Sequence, residues 1–272
     1  MLHSRQQLDT VSLILCCGKT CVICRVLCMI SSVWAIFQSL LCLLAIQLIM
    51  GRSMCMKRLE RLHIQRRAQH FMSGMVVLYC QRSFPHAQFT AFLIAGIIFT
   101  GATHYLRLYV PLVQKLFVGS FQSILRGPEK SGDQVPGAVF FLLGNLISGA
   151  LFPPTFCSLS IIAVSVGDPF AGICGMLFAS PRLVGSKTLA GTIGCGIVSG
   201  ICLVVAIGPD TLSEFAQLFV LLGTSTAFSE LFSVIDDNLT MPILFRFTMW
   251  IFYSFVPGHW NIGPTLMRIY TT

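Results

Sequence analysis

Long apolar stretches separated by short polar links dominate the chain. They fall at about 26–50, 71–82, 88–103, 135–153, 155–178, 189–208, 215–235 and 241–256. A perpendicular helix needs ~20 apolar residues to cross a bilayer, so these segments are candidate transmembrane helices. The second is short for a span and predicts a tight hairpin with the third, turning at Ser83-Phe84-Pro85-His86. Residues 104–124 differ: Leu108, Leu112, Lys115, Leu116 and Phe117 mix with Arg107 and Gln114, the pattern of an interfacial or protein-covered amphipathic helix. No internal repeat and no low-complexity linker interrupts the series. The pattern predicts an all-α fold, a polytopic transmembrane helical bundle of about seven to eight spans. It divides into an N-terminal segment with one span and a basic juxtamembrane loop (1–64), a membrane domain (65–256) and a tail (257–272).

Composition agrees with that pattern. The 272 residues are 55% hydrophobic and only 10% charged, with a mean hydropathy of +0.80. Soluble domains carry about 25% charged residues, which excludes disorder, a coiled coil and an ordinary globular enzyme. An ionisable residue at membrane depth costs about 2.5–3.5 kcal/mol on insertion scales, so the few charges are where chemistry is to be sought. The net charge of +8 comes largely from a block after the first apolar run: Arg52, Lys57, Arg58, Arg61, Arg66 and Arg67. That is a juxtamembrane, positive-inside pattern rather than a nucleic-acid surface. The 12 cysteines lie mostly in apolar runs, where Cys acts as a small hydrophobe. The cluster Cys16, Cys17, Cys21, Cys24 and Cys28 has no second pair and no nearby His. It fits membrane packing or palmitoylation better than zinc. The run Val26–Met50 is long enough to span, which argues against a cleavable signal.

With the basic loop 51–70 in the cytosol and sides alternating at each span, loop 104–134, loop 179–188 and the link at Asp236-Asp237-Asn238 also face the cytosol. Nearly all unusual polar residues then gather on one membrane face.

Four constellations stand out. In Arg66-Arg67-Ala68-Gln69-His70, a continuing helix places residues 66 and 70 on one face; a guanidinium fork beside an imidazole suits an oligophosphate. In Gly167-Asp168-Pro169-Phe170-Ala171-Gly172-Ile173-Cys174-Gly175, an Asp inside an apolar stretch needs a partner or a cation. The Asp-Pro step and the glycines are expected to interrupt the helix there; the glycines themselves suit close packing. In Lys187-Thr188-Leu189-Ala190-Gly191-Thr192-Ile193-Gly194, Lys-Thr at a helix start with small residues after it suits phosphate, given free N–H groups and the helix dipole. It is not a Walker A loop. Finally, Asp236, Asp237 and Asn238 offer the oxygen ligands of a hard cation, with Glu230 inside the preceding span. There is no Ser-His-Asp arrangement, HExxH, dinucleotide fingerprint or heme motif, and His63, His86, His104 and His259 read as interfacial.

Taken in order, Arg-Arg-x-x-His, Leu-Arg-Gly-Pro-Glu-Lys, Gly-Asp-Pro-Phe-Ala-Gly-Ile-Cys-Gly, Lys-Thr-Leu-Ala-Gly-Thr-Ile-Gly and Ser-Glu with Asp-Asp-Asn-Leu-Thr-Met-Pro resemble the CTP-dependent lipid kinases. That family joins the fungal-type diacylglycerol kinases with phytol and dolichol kinases. The resemblance runs from Gln65 to Phe247 and is strongest to the diacylglycerol kinases. It implies transfer of the CTP γ-phosphate to a lipid alcohol by an integral membrane protein of the endoplasmic reticulum or nuclear envelope, active face cytosolic. Arg66, Arg67 and His70 fall on the family's Arg-Lys and following His. Asp168 falls on its Asp-x-x-Ala, and Gly175 on the glycine seven residues later. Lys187, Thr188 and Gly191 fall on Lys-Ser-x-x-Gly, and Asp236, Asp237 and Asn238 on Asp-Asp-Asn. Two positions depart: Met176 stands where a basic residue is common, and the Arg-Lys has become Arg-Arg.

The implied chemistry is charge neutralisation and positioning. Arg66, Arg67 and Lys187 hold the triphosphate, Asp168, Asp236 and Asp237 hold Mg²⁺ (or Ca²⁺), and Asp168 or Glu230 takes the alcohol proton. Dolichol or phytol as acceptor, a cytidylyltransferase making a CDP-lipid, and a transporter using intramembrane carboxylates are the alternatives. Nothing in the sequence sets an oligomeric state.

Overall fold

The computed structural model describes residues 63–233 and 235–255. The Cys-rich cluster, the span at 26–50, the basic residues from Arg52 to Arg61 and the tail 257–272 lie outside the described residues. All seven other apolar segments are helices. In chain order the elements are α1 (Ile64–Ser83), α2 (His86–Tyr109), α3 (Pro111–Phe121), α4 (Gly127–Ser131), α5 (Gly137–Leu151), a 3₁₀ turn (Pro154–Phe156), α6 (Cys157–Leu177), strands β1 (Arg182–Val184) and β2 (Lys187–Thr188), α7 (Leu189–Ile207), α8 (Leu212–Leu231) and α9 (Asp237–Phe255). Helices α2, α6 and α7 are long and apolar enough to cross a membrane, and α5 is a shorter apolar helix. The chain is an all-α membrane bundle with one small hairpin.

Prolines set most of the boundaries. Phe84, before Pro85, is extended at φ −104° and ψ 142°, as a residue preceding proline prefers, and this makes the tight α1–α2 turn. Val110, before Pro111, is extended for the same reason. The stretch 104–124 is therefore not one amphipathic helix: α2 continues to Tyr109, and α3 begins afresh with Pro111 at its first position.

The Asp168-Pro169 step also departs from expectation. Helix α6 runs unbroken from Cys157 to Leu177 with Pro169 inside it. Proline within a helix removes one bond and costs about 3 kcal/mol. Here burial on all sides holds the helix: Ile161, Ala163 and Val164 have no exposed surface and Val166 is 3% exposed. Such an all-round apolar helix belongs at the centre of a bundle, and α6 packs against α1, α7, α8 and α9. Phe156, Leu159 and Ile162 from this region meet Leu203 of α7, Leu222 of α8 and Phe245 of α9 in the core.

The link at 179–188 is an antiparallel hairpin rather than a loop, with Arg182 opposite Thr188 and Val184 opposite Lys187. Gly185 makes its turn at φ +54°, a conformation that favours glycine. The hairpin fixes Lys187 immediately before α7. Gly144 of α5 lies so close to α9 that a Cβ there would stand 2.6 Å from the Asn238 carbonyl. This contact anchors the start of α9.

Candidate active site

The first half of the site comes from α1 and α6. The helix does continue through the Arg-Arg-x-x-His run, so Arg66 and His70 share a face. Arg67 crosses to α6 and donates from Nη1 to the Pro169 carbonyl at 2.6 Å. Gly172 makes room for it, since a methyl group at that position would overlap the guanidinium. His70 Nε2 stands 3.9 Å from Asp168 Oδ2, and its ring meets Phe141 edge to face. Arg66 lies within electrostatic reach of Arg126, Glu129, Asp168 and Asp236.

The second half joins the hairpin to α7, α8 and α9. Lys187 Nζ is 2.5 Å from Asp237 Oδ1 and 3.2 Å from Glu230 Oε1. Glu230 is 3% exposed, and its other oxygen accepts from Thr192 Oγ1 at 2.8 Å. Burial works to lower the Lys187 pKa, but the two carboxylates outweigh it and raise the ammonium above the ordinary lysine value. For Asp237 the balance runs the other way: burial and the charge of Asp168 push its carboxyl up, against the pull of Lys187. Asp168 and Asp237 are thus mutually repelling carboxylates, and they link the two halves.

A third group closes the site. Asp236 accepts the Asn238 N–H at 3.0 Å, opening α9, and pairs with Arg126 Nη1 at 3.4 Å. Glu129, 4% exposed, takes the Arg126 N–H at 2.6 Å on one oxygen and the Gly137 N–H at 3.0 Å on the other. Arg126, Glu129 and Thr192 carry no assigned role in the sequence reading. Their signal was present as the Leu-Arg-Gly-Pro-Glu-Lys motif and as a hydroxyl one turn past Lys187-Thr188.

One expectation about phosphate is overturned. The first N–H groups of α7 are not free: Leu189 N–H donates to the Pro181 carbonyl, Ala190 N–H to Ser180 Oγ and Gly191 N–H to Thr188 Oγ1. Thr188 is the helix cap. Gly175 and Gly191 lie in the α6–α7 contact, where a Cβ on Gly175 would come 2.8 Å from Thr188 Oγ1 and one on Gly191 2.8 Å from the Ala171 carbonyl. What remains available for an anion is side-chain charge.

Several polar atoms in the cluster are buried without a hydrogen-bond partner among the described residues: Arg67 Nε, His70 Nε2 and Asn238 Oδ1. Buried polar groups are nearly always satisfied, so these atoms have hydrogen-bonding capacity to spare for a polar ligand. Among the described residues no group of three or more His, Cys, Asp or Glu is arranged to hold a metal ion by itself. Magnesium, however, usually takes one or two carboxylates and completes its shell with water and substrate phosphates. The facing Asp168 and Asp237, whose repulsion a divalent cation would relieve, fit that role.

Over 198 residues the chain is 28% identical to CTP-dependent diacylglycerol kinase 1 of Schizosaccharomyces pombe, a match spanning 66% of this chain and 89% of that protein. No family model matches the chain, and no solved structure matches it.

Proposed function

We propose that the chain belongs to the CTP-dependent lipid kinases and transfers the γ-phosphate of CTP to diacylglycerol, giving phosphatidate. One observation carries the chemistry: Arg66, Arg67 and Lys187 converge with Asp168 and Asp237 where buried polar atoms lack partners among the described residues. The similarity to a named CTP-dependent diacylglycerol kinase supports donor and acceptor.

In this reading Arg66, Arg67 and Lys187 hold the triphosphate, with Asn238 and His70 as further contacts. Lys187 exchanges its carboxylates for phosphate oxygens. The lipid hydroxyl oxygen attacks the γ-phosphorus, the bond to the β–γ bridging oxygen breaks, and CDP leaves. Positioning and charge neutralisation supply most of the rate. Asp168 accepts the hydroxyl proton, because it is about a third exposed at the site, whereas Glu230 is buried and bonded to Thr192. Asp168, Asp236 and Asp237 would hold a divalent cation jointly with the phosphates, and the cation would supply charge neutralisation there. In this reading the site lies on the cytosolic face, the orientation that the basic loop 51–70 supports, and the membrane is that of the endoplasmic reticulum or nuclear envelope.

The test is transfer of label. Membranes containing the protein are incubated with γ-labelled CTP or ATP, Mg²⁺, and diacylglycerol, dolichol or phytol, beside Asp168→Asn. Label in phosphatidate from CTP alone is expected. No label in any lipid, with the protein present in the membrane, overturns the reading.

A further inference from the structure

Arg126 lies outside every role assigned above, yet it is built into the site. Its backbone is fixed by Glu129, a buried carboxylate whose two oxygens bind Arg126 N–H and Gly137 N–H and so tie this segment to the start of α5. Its head group is far less constrained. Side-chain exposure is 37%, and the contact with Asp236 is long, at 3.4 Å. Arg66 lies within electrostatic reach of it, so two guanidiniums of like charge act on one another, and both also act on Asp236. Like charges brought together are stabilised by an anion between them, and arginine forks suit phosphate oxygens.

We propose that Arg126 is a triphosphate-binding residue that exchanges partners: it neutralises Asp236 in the empty site and turns to the nucleotide phosphates when Asp236 takes the divalent cation. Glu129 acts as its positioning residue. The inference rests on the lipid-kinase reading. It assigns the Arg-Gly-Pro-Glu segment a function in nucleotide binding. It also makes nucleotide and metal binding mutually dependent, because each takes one partner out of the same ion pair.

The exchange has a signature that a structural role does not share. Arg126→Gln removes a phosphate contact and leaves Asp236 without its cation. The KM for CTP should rise about ten-fold or more, the size of one charge-assisted hydrogen bond, with a smaller change in kcat. The Mg²⁺ concentration for half-maximal activity should fall. Arg126→Lys should recover part of the KM, and Glu129→Gln should raise it in the same direction by less. A CTP KM within two-fold of wild type overturns the proposal, as does a joint rise of KM and Mg²⁺ requirement that tracks lost thermal stability. If the wild-type protein transfers no phosphate, the lipid-kinase reading falls first. Arg126 is then tested by the rise in melting midpoint that CTP with Mg²⁺ gives the detergent-solubilised protein. That rise should be present in wild type and lost in Arg126→Gln; an equal rise in both, or none in either, overturns the proposal.

Discussion

The ammonium of Lys187 sits 2.5 Å from Oδ1 of Asp237, fifty residues further along the chain. Because Lys187 is fixed by the hairpin and Asp237 opens α9, this ion pair ties those two elements together. Glu230, 3.2 Å from the same nitrogen, completes it. Removing the cation leaves two carboxylates facing each other with little solvent around them, and breaking a buried pair from one side costs about 3 kcal/mol. Lys187→Met should therefore lower the melting midpoint and abolish transfer. The double variant Lys187→Met/Asp237→Asn should regain part of the stability and none of the activity. Thermal melts in detergent and the label-transfer assay separate the two effects.

The same pair sets an alkaline limit. The folded-state pKa of Lys187 lies above the ordinary value of 10.5, burial opposing the rise and the two carboxylates outweighing it. Its contribution is then fully present below about pH 10.5 and is lost as the pH rises through the higher folded value. A pH series of melting midpoints on wild type and Lys187→Met should converge in that alkaline range. Curves that stay parallel there would disprove the linkage.

Asp168 and Glu230 should fail in different ways. Asp168 is about a third exposed, and His70 Nε2 stands 3.9 Å from its carboxylate, beyond hydrogen-bond distance. Asp168→Asn should keep the fold and lose about 10²–10⁴ of the rate, the range for a general base. Glu230 is anchored by both Lys187 and Thr192, so Glu230→Gln should lose stability together with activity. A stable, inactive Glu230→Gln beside an active Asp168→Asn would reverse the assignment.

Gly172 leaves room for Arg67 on α6. Gly172→Ala should displace the guanidinium, break its bond to the Pro169 carbonyl and raise the KM for CTP several-fold, on the order of one hydrogen bond. Arg67 is long and flexible, so the melting midpoint should change little. A wild-type KM would show that Arg67 does not touch the nucleotide from this position.

Thr192→Val should remove the hydroxyl bond that orients Glu230, costing about 1–2 kcal/mol. Melting midpoints of Thr192→Val alone and with Glu230→Gln should be non-additive.

Hydrophobic run length made the helices readable, and Phe84-Pro85 gave the α1–α2 turn because proline restricts its neighbour in any context. The Asp168-Pro169 step misled because the cost of an internal proline is local, whereas the packing that offsets it comes from the surrounding helices. The residues Arg66, Arg67, His70, Asp168, Lys187, Glu230 and Asp237 were legible as charges in an apolar chain, where burying them needs a reason. Their pairing was not. Lys187 with Asp237 and Arg126 with Asp236 are set by how the hairpin, α4 and α9 meet, and sequence spacing does not encode that. The capping of α7 escaped for a similar reason: Pro181 and Ser180 lie before the hairpin and reach α7 only once it folds back.

That capping has an electrostatic consequence. With the α7 amides already bonded, Arg66, Arg67, Arg126 and Lys187 are the local positive charges, against Asp168, Asp236, Asp237, Glu230 and Glu129. The formal balance is slightly negative before any substrate arrives. Such a site repels a bare tetra-anionic triphosphate and accepts one whose charge has been partly cancelled in solution. In the empty state the charges largely pair with one another, which lowers the cost of holding so many of them beside a bilayer.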